Sequence, residues 1–331
     1  MNHIFIPCLA IVIGLAALAW SADRFIGSAA MVARRFGISP LFIGVIIIGF
    51  GTSAPELMVS AIAALEGSPA LALGNAFGSN IANIGLVLGA AAMICPITTS
   101  SRVIRSEIVI LSTITLLAGA LLLNRYLSRL DGLLLLACFF ALLVWSVRKS
   151  FKQPPETEAL EEQHSDAPTA SWRVMVWLTA SLVLLLASSR LLVWGSVELA
   201  MSLGISELVI GLTIVALGTS LPELASVIAA VRKSQHDLAI GNILGSGLFN
   251  TLAVVGLSAT IAPFDFESWV LYRDWLIMFL LVAIILAHTL LHRLGGIHLR
   301  RTSGAALISI YIGYLGWLGF TLTSPLGIAQ T

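Results

Sequence analysis

Charge is scarce in this 331-residue chain. Only 11% of residues are Asp, Glu, Lys or Arg, against about 25% in an ordinary soluble domain. Eighteen basic residues against 17 acidic leave a formal net charge of +1, so the chain carries no electrostatic footprint for nucleic acid. Cysteine is scarcer still: Cys8, Cys95 and Cys138 are too few to staple a secreted domain, and are most simply apolar filling. What the chain has in abundance is apolar surface. Hydrophobic residues make up 58% and the mean hydropathy is +0.99, a surplus that no water-soluble fold of this size can hide. The composition is that of a polytopic membrane protein whose surroundings are lipid.

A spanning helix needs ~20 mostly apolar residues. Ten segments qualify: 4–33, 39–65, 70–94, 103–123, 131–147, 173–200, 206–231, 238–261, 274–292 and 303–323. The first is kept as a span because no Lys or Arg precedes it and its apolar pattern runs past any cleavage site. One hydrophilic stretch, with Pro154, Pro155, Glu156, Glu158, Glu161, Glu162 and Asp166, splits the ten spans five and five. It lacks the spacing of a calcium-binding EF-hand and reads as a solvated, cytoplasmic acidic linker. The expected organisation is therefore a five-helix half over 1–147, a linker over 148–172 and a second five-helix half over 173–331. Basic residues set the orientation. Loops after the odd-numbered spans hold thirteen of them, including Arg34, Arg35, Arg102, Arg105, Arg232 and Lys233; the opposite loops hold only Arg125, Arg129 and Arg273. Both termini are expected outside the cytoplasm.

Self-comparison is more informative. A shift of 167 residues carries Gly37-Ile38-Ser39 onto Gly204-Ile205-Ser206 and Gly51-Thr52-Ser53-Ala54-Pro55-Glu56 onto Gly218-Thr219-Ser220-Leu221-Pro222-Glu223. Gly74-Asn75, Gly78-Ser79 and Asn83 then meet Gly241-Asn242, Gly245-Ser246 and Asn250. Because five spans is an odd number, the second copy must cross the membrane upside down. Inverted repeats of this kind place a transporter's binding site near the midplane, between the copies.

Glu56 and Glu223 each lie deep in an apolar segment, where a charge costs about 2.5–3.5 kcal/mol on insertion scales. Thr52 and Glu56, Thr219 and Glu223, Ser79 and Asn83, and Ser246 and Asn250 are each four residues apart, hence on one helical face. Pro55 and Pro222 cannot donate to the carbonyls of Gly51 and Gly218. Those carbonyls, with neighbours around Gly49 and Ala216, become candidate ligands. Packing alone explains isolated glycines, but not Glu, Thr and Pro beside them. Every group offered is an oxygen. Ca²⁺ takes six to eight oxygens in flexible geometry, Mg²⁺ insists on an octahedron, and soft metals would call for Cys or His. Two carboxylates are neutralised by one Ca²⁺ or by two protons, whereas three Na⁺ leave a charge of +1.

At these residues the sequence resembles the Ca²⁺:cation antiporter superfamily, the sodium/calcium exchangers and their relatives, and looks most like the compact prokaryotic members. The paired Gly-Thr-Ser-x-Pro-Glu segments, each followed by Gly-Asn-x-x-Gly-Ser, carry the likeness, with repeat cores at about 39–95 and 206–262. The resemblance implies an all-α membrane protein of ten helices in two inverted five-helix repeats, exchanging Ca²⁺ for Na⁺ (or H⁺) in a prokaryotic inner membrane. It implies that Glu56 and Glu223 are shared carboxylate ligands, that Thr52 and Thr219 supply oxygens to Ca²⁺, and that carbonyls at Gly49 and Ala216 line the path. Ser53, Ser79, Ser220 and Ser246 would help form flanking Na⁺ sites, and Asn83 and Asn250 would complete the centre. Spans 1 and 6 would slide across the other eight. Asn at 250, where K⁺-dependent members carry Asp, argues against K⁺ co-transport. The short linker leaves no room for the regulatory domain of animal exchangers. No cofactor is expected, and the chain is expected to work as a monomer.

Other classes fit less well. An intramembrane hydrolase would need a nucleophile beside a base or an aspartate dyad, and neither accompanies the glutamates. A passive channel seldom needs duplicated broken helices. His288 and His292 are read as a span end rather than a metal pair, and Glu198 and Glu207 are left open between concentrating cations at the outer mouth and being plain exposed loop carboxylates. Asp23 and Arg24 are left open between snorkelling, pairing with each other and facing a wet vestibule.

Overall fold

The computed structural model describes residues 2–99, 102–152, 171–203, 216–291 and 297–323. Its helices are α1 (Asn2–Phe36), α2 (Pro40–Thr52), α3 (Ala54–Leu65), α4 (Pro69–Ile94), α5 (Arg102–Leu121) and α6 (Arg129–Lys152) in the first half. The second half has α7 (Ser171–Ser202), α8 (Ala216–Gly218), α9 (Leu221–Arg232), α10 (His236–Ile261), α11 (Val270–Leu291) and α12 (Arg301–Thr323). Eight of the described helices are long and apolar enough to cross a membrane, and α2 with α3 makes a ninth crossing bent by 44°. The counterpart of that bent pair is the expected span 206–231. Its first half, including Ser206 and Glu207, lies outside the described residues, as do Gly204, Ile205, His292 and most of the linker; α8 and α9 are the part described.

The bend has a local cause. Pro55 and Pro222 each occupy the second position of a new helix, where a missing N–H costs nothing. The residue before each new helix leaves α geometry in the same way in both copies: Ser53 has ψ 7° and Ser220 ψ 3°. A second matched irregularity follows. A π-helical turn begins at Asn83 in α4 and at Asn250 in α10, positions that the 167-residue shift superimposes. Such turns occur often at functional sites because they break the regular backbone ladder.

Four short strands tie the halves together. β1 (Ile97–Thr99) pairs antiparallel with β4 (Ile297–Leu299), and β2 (Tyr126–Leu127) with β3 (Phe264–Asp265). The 167-residue shift carries Ile97 of β1 onto Phe264 of β3, while it carries β2 to 293–294, a few positions before β4. β1 precedes α5 and β2 follows it, which puts one pairing at each end of that helix.

α10 is the centre of the molecule, with every residue from Leu238 to Phe249 buried. It lies backbone to backbone against α2. A Cβ on Gly44 would stand 2.8 Å from Gly241 Cα, and one on Gly49 would stand 2.9 Å from Gly245 Cα. Gly241-x-x-x-Gly245 thus supplies the smooth face that close helix approach in lipid requires. Outside this core, α1 and α7 pack along each other, with Gly14 against Leu192 and Gly195 against Pro7. α7 reaches both helix breaks, through Leu182 over Gly51 and Val193 over Gly218. Asp23 of α1 does not pair with its sequence neighbour Arg24. It meets Lys233 at 2.9 Å, while Arg24 stacks over Trp20.

Candidate cation-binding site

The two helix breaks meet at the middle of the bundle. Glu56 and Glu223 are completely buried, as are Thr52, Ser53, Ser246 and Asn250, and Ser79, Asn83 and Ser220 are nearly so. Ser53 Oγ donates to Glu223 Oε1 at 3.0 Å across the repeat interface. Ser53 is the N-cap of α3 and Glu56 its third residue, positions whose side chains adjoin, so the two carboxylates share one small volume. They lie within mutual electrostatic range. Thr219 stands beside the Glu56 carboxylate, and Thr52 and Ser53 stand beside that of Glu223. Each copy's hydroxyls therefore serve the other copy's acid. Among the described residues no cluster of three or more His, Cys, Asp or Glu occurs, so these two carboxylates are the anionic charge of the site.

A polar frame surrounds them. Thr52 Oγ1 lies 3.1 Å from Asn242 Oδ1 and donates to the Ile48 carbonyl at 3.0 Å. Asn242 Nδ2 donates to Ser226 Oγ at 2.8 Å, and Ser226 Oγ to the Glu223 carbonyl at 3.0 Å. The first copy repeats the device: Asn75 Nδ2 donates to Ser60 Oγ at 3.1 Å and to the Glu56 carbonyl at 3.3 Å. Asn75 and Asn242 were visible as matched Gly-Asn pairs. Their role as struts was not, because Ser60 and Ser226 fall one position out of register in the repeat. Asn80 and Thr251 also carry site contacts and have no counterpart in the other copy.

The carbonyls around the prolines are less bare than the sequence suggests. Gly49 O accepts from Ser53 N at 3.1 Å and from Ser246 Oγ at 3.4 Å. Gly218 O accepts from Ser189 Oγ of α7 at 3.1 Å. Ala216 lies in the short helix α8, and its side chain is outside the described set.

What the frame leaves unfilled is specific. Both oxygens of Glu56, Oε2 of Glu223, Oδ1 of Asn250, Oγ of Ser220 and both polar atoms of the Asn83 amide are buried without a hydrogen-bond partner. Native proteins satisfy nearly all such groups, and an ionised carboxylate buried alone is far costlier than a neutral group. A concentration of oxygens stranded in one place is stable when a cation completes it. The donor set suits a hard ion and not a soft one.

Comparison with known proteins agrees with this geometry. The family model described as sodium/calcium exchanger protein matches residues 6–148 and 173–320. CaxA of Alkalimonas amylolytica is 43% identical over 307 residues, 92% of this chain and 96% of that protein. Inner membrane protein YrbG of Escherichia coli (strain K12) is 40% identical over 281 residues, 84% of this chain and 86% of its own. The solved sodium-calcium exchanger NCX_Mj, soaked with 10 mM Na⁺ and zero Ca²⁺, superposes with a TM-score of 0.81 at 28% identity, covering 95% of this chain and 99% of that one. With the motif matched in both halves, the chain is a multi-pass membrane antiporter, not an enzyme, and belongs to the sodium/calcium exchanger protein family.

Proposed function

We propose that this protein exports Ca²⁺ from the cytoplasm in exchange for Na⁺ by alternating access, with both ions competing for Glu56 and Glu223. The observation that supports the reading best is the set of unpartnered buried oxygens on Glu56, Glu223, Asn250 and Ser220. Ca²⁺ neutralises the two carboxylates, Thr52 and Thr219 add neutral oxygens, and Asn83 and Asn250 close the shell. Na⁺ ions occupy flanking positions lined by Ser53, Ser79, Ser220 and Ser246, with the Gly49 and Ala216 carbonyls on the path. An ion taking Gly49 O would compete with the long bonds from Ser246 Oγ at 3.4 Å and Thr52 Oγ1 at 3.5 Å. Pro55, Pro222, Gly51 and Gly218 keep the backbone broken where the ligands sit.

Alternation is assigned to α1 and α7. These two helices pack chiefly on each other, and α7 rests on the breaks of both repeats, so their sliding exposes one side of the site at a time. The distribution of basic residues supports termini outside the cytoplasm, in a prokaryotic inner membrane, with the halves 1–147 and 173–331 joined by the linker 148–172. The site is complete within one chain, which supports a working monomer.

Reconstitution into liposomes tests the coupling ion. Vesicles loaded with Na⁺ are expected to accumulate ⁴⁵Ca²⁺ until the Na⁺ gradient is dissipated, and K⁺-loaded vesicles are not. Uptake that ignores Na⁺ and follows an imposed pH gradient instead would assign the same scaffold to Ca²⁺/H⁺ exchange.

A further inference from the structure

The two amides of the centre are not equivalent, and the reason lies at a residue outside the repeat motif. Asn80, on α4, is 3% exposed. Its Nδ2 lies 3.4 Å from the Gly247 carbonyl, 2.9 Å from Thr251 Oγ1 and 3.3 Å from Met278 Sδ. A backbone carbonyl and a thioether can only accept, so the NH₂ of Asn80 must face them. This fixes the amide orientation from the network and turns Asn80 Oδ1 the other way, toward Asn250. There it receives Asn250 Nδ2 at 3.2 Å. With its NH₂ occupied, Asn250 can present only Oδ1 on its free side, and that oxygen is buried without a partner. Asn83, its repeat mate, has no such clamp, since both of its polar atoms lack a hydrogen-bond partner. The asymmetry is written in the sequence: the 167-residue shift carries Asn80 onto Gly247, and Thr251 answers to Ile84.

We infer that Asn80 is a positioning residue that locks the Asn250 amide with its carbonyl oxygen toward the cation and its NH₂ away from it. An unclamped amide can turn and present N–H donors to a cation, which repel it. The second repeat therefore holds a preformed oxygen ligand, while the first supplies an amide free to turn as the ion enters or leaves. This rests on Asn250 being a ligand.

Equilibrium ⁴⁵Ca²⁺ binding to the purified full-length protein in detergent is the test, with folding of each variant checked by size-exclusion chromatography and thermal melting. Asn250→Ala is expected to weaken binding about tenfold, the equivalent of one well-placed ligand. Asn80→Leu is expected to weaken it by a similar factor in the wild-type background and by less than about twofold in the Asn250→Ala background, because interacting residues are not additive. In an Asn83→Ala background the Asn80→Leu effect should return in full. Should Asn80→Leu fail to fold, Asn80→Ser keeps a polar group but is too short to reach Asn250, and the same pattern is expected. An Asn80 effect of equal size in all backgrounds, or none in a folded variant, would overturn the clamp while leaving the site intact. No loss of binding in Asn250→Ala would overturn the ligand assignment itself.

Discussion

Replacing either Glu56 or Glu223 by Gln is expected to reduce Na⁺-dependent ⁴⁵Ca²⁺ uptake to the level of empty liposomes, with the protein still folded and monodisperse. At an ion–oxygen separation of about 2.4 Å and an effective dielectric near 20, one carboxylate attracts a divalent ion by on the order of 10 kcal/mol before dehydration is counted. Even a fifth of that, ~2 kcal/mol, is roughly thirtyfold in affinity. Gln keeps the shape and one carbonyl oxygen, so the loss isolates charge. The structure argues that folding survives. Three of the four carboxylate oxygens are buried without a hydrogen-bond partner, and the fourth, Glu223 Oε1, accepts from Ser53 Oγ, a bond that an amide oxygen also accepts. Removing a charge from a buried site also lowers the desolvation cost of the empty state, so Glu56→Gln is expected to melt no lower than the wild type. Uptake within twofold of wild type in either variant would remove these residues from the transport path.

The second large effect is structural. Gly245→Ala is expected to abolish monodisperse protein, or to cost about 3 kcal/mol or more of stability, the upper end of overpacking penalties. A Cβ there would stand 2.7 Å from Val45 Cα and closer still to the Val45 carbonyl oxygen. Both are backbone atoms, and α2 cannot withdraw without pulling Thr52 and Ser53 off the site. Gly313→Ala on α12 is the control. Among the described residues nothing lies within 4 Å of a Cβ at that position, and Ala is the better helix former by about 1 kcal/mol. Fluorescence-detected size-exclusion and thermal melts of the two variants read the difference directly.

Much of this was legible in the sequence, for a definite reason. The repeat carries its chemistry in short contiguous motifs, and the spacing of Thr52 and Glu56 is fixed by helical geometry alone, so the ligand-bearing residues could be named before any fold was known. Proline located the breaks for the same reason. What lay hidden depends on pairing between distant segments. Nothing about Asn80 marks it as the partner of an amide 170 positions away, and Ser189 is one serine among many until α7 brings it to the Gly218 carbonyl. Asp23 sits beside an arginine in sequence and yet pairs with Lys233, because the α1 helix turns successive side chains about 100° apart. The π-helical turns at Asn83 and Asn250 are likewise invisible to hydrophobic periodicity.

The central claim is that one divalent ion is held jointly by Glu56 and Glu223 across the two inverted copies. Anomalous diffraction from crystals soaked in Sr²⁺, a heavier stand-in for Ca²⁺, measures this most directly. The account predicts one dominant peak at bonding distance from carboxylate oxygens of both residues, lost on soaking with excess Na⁺. A peak bound by a single glutamate, or located away from both helix breaks, would contradict it.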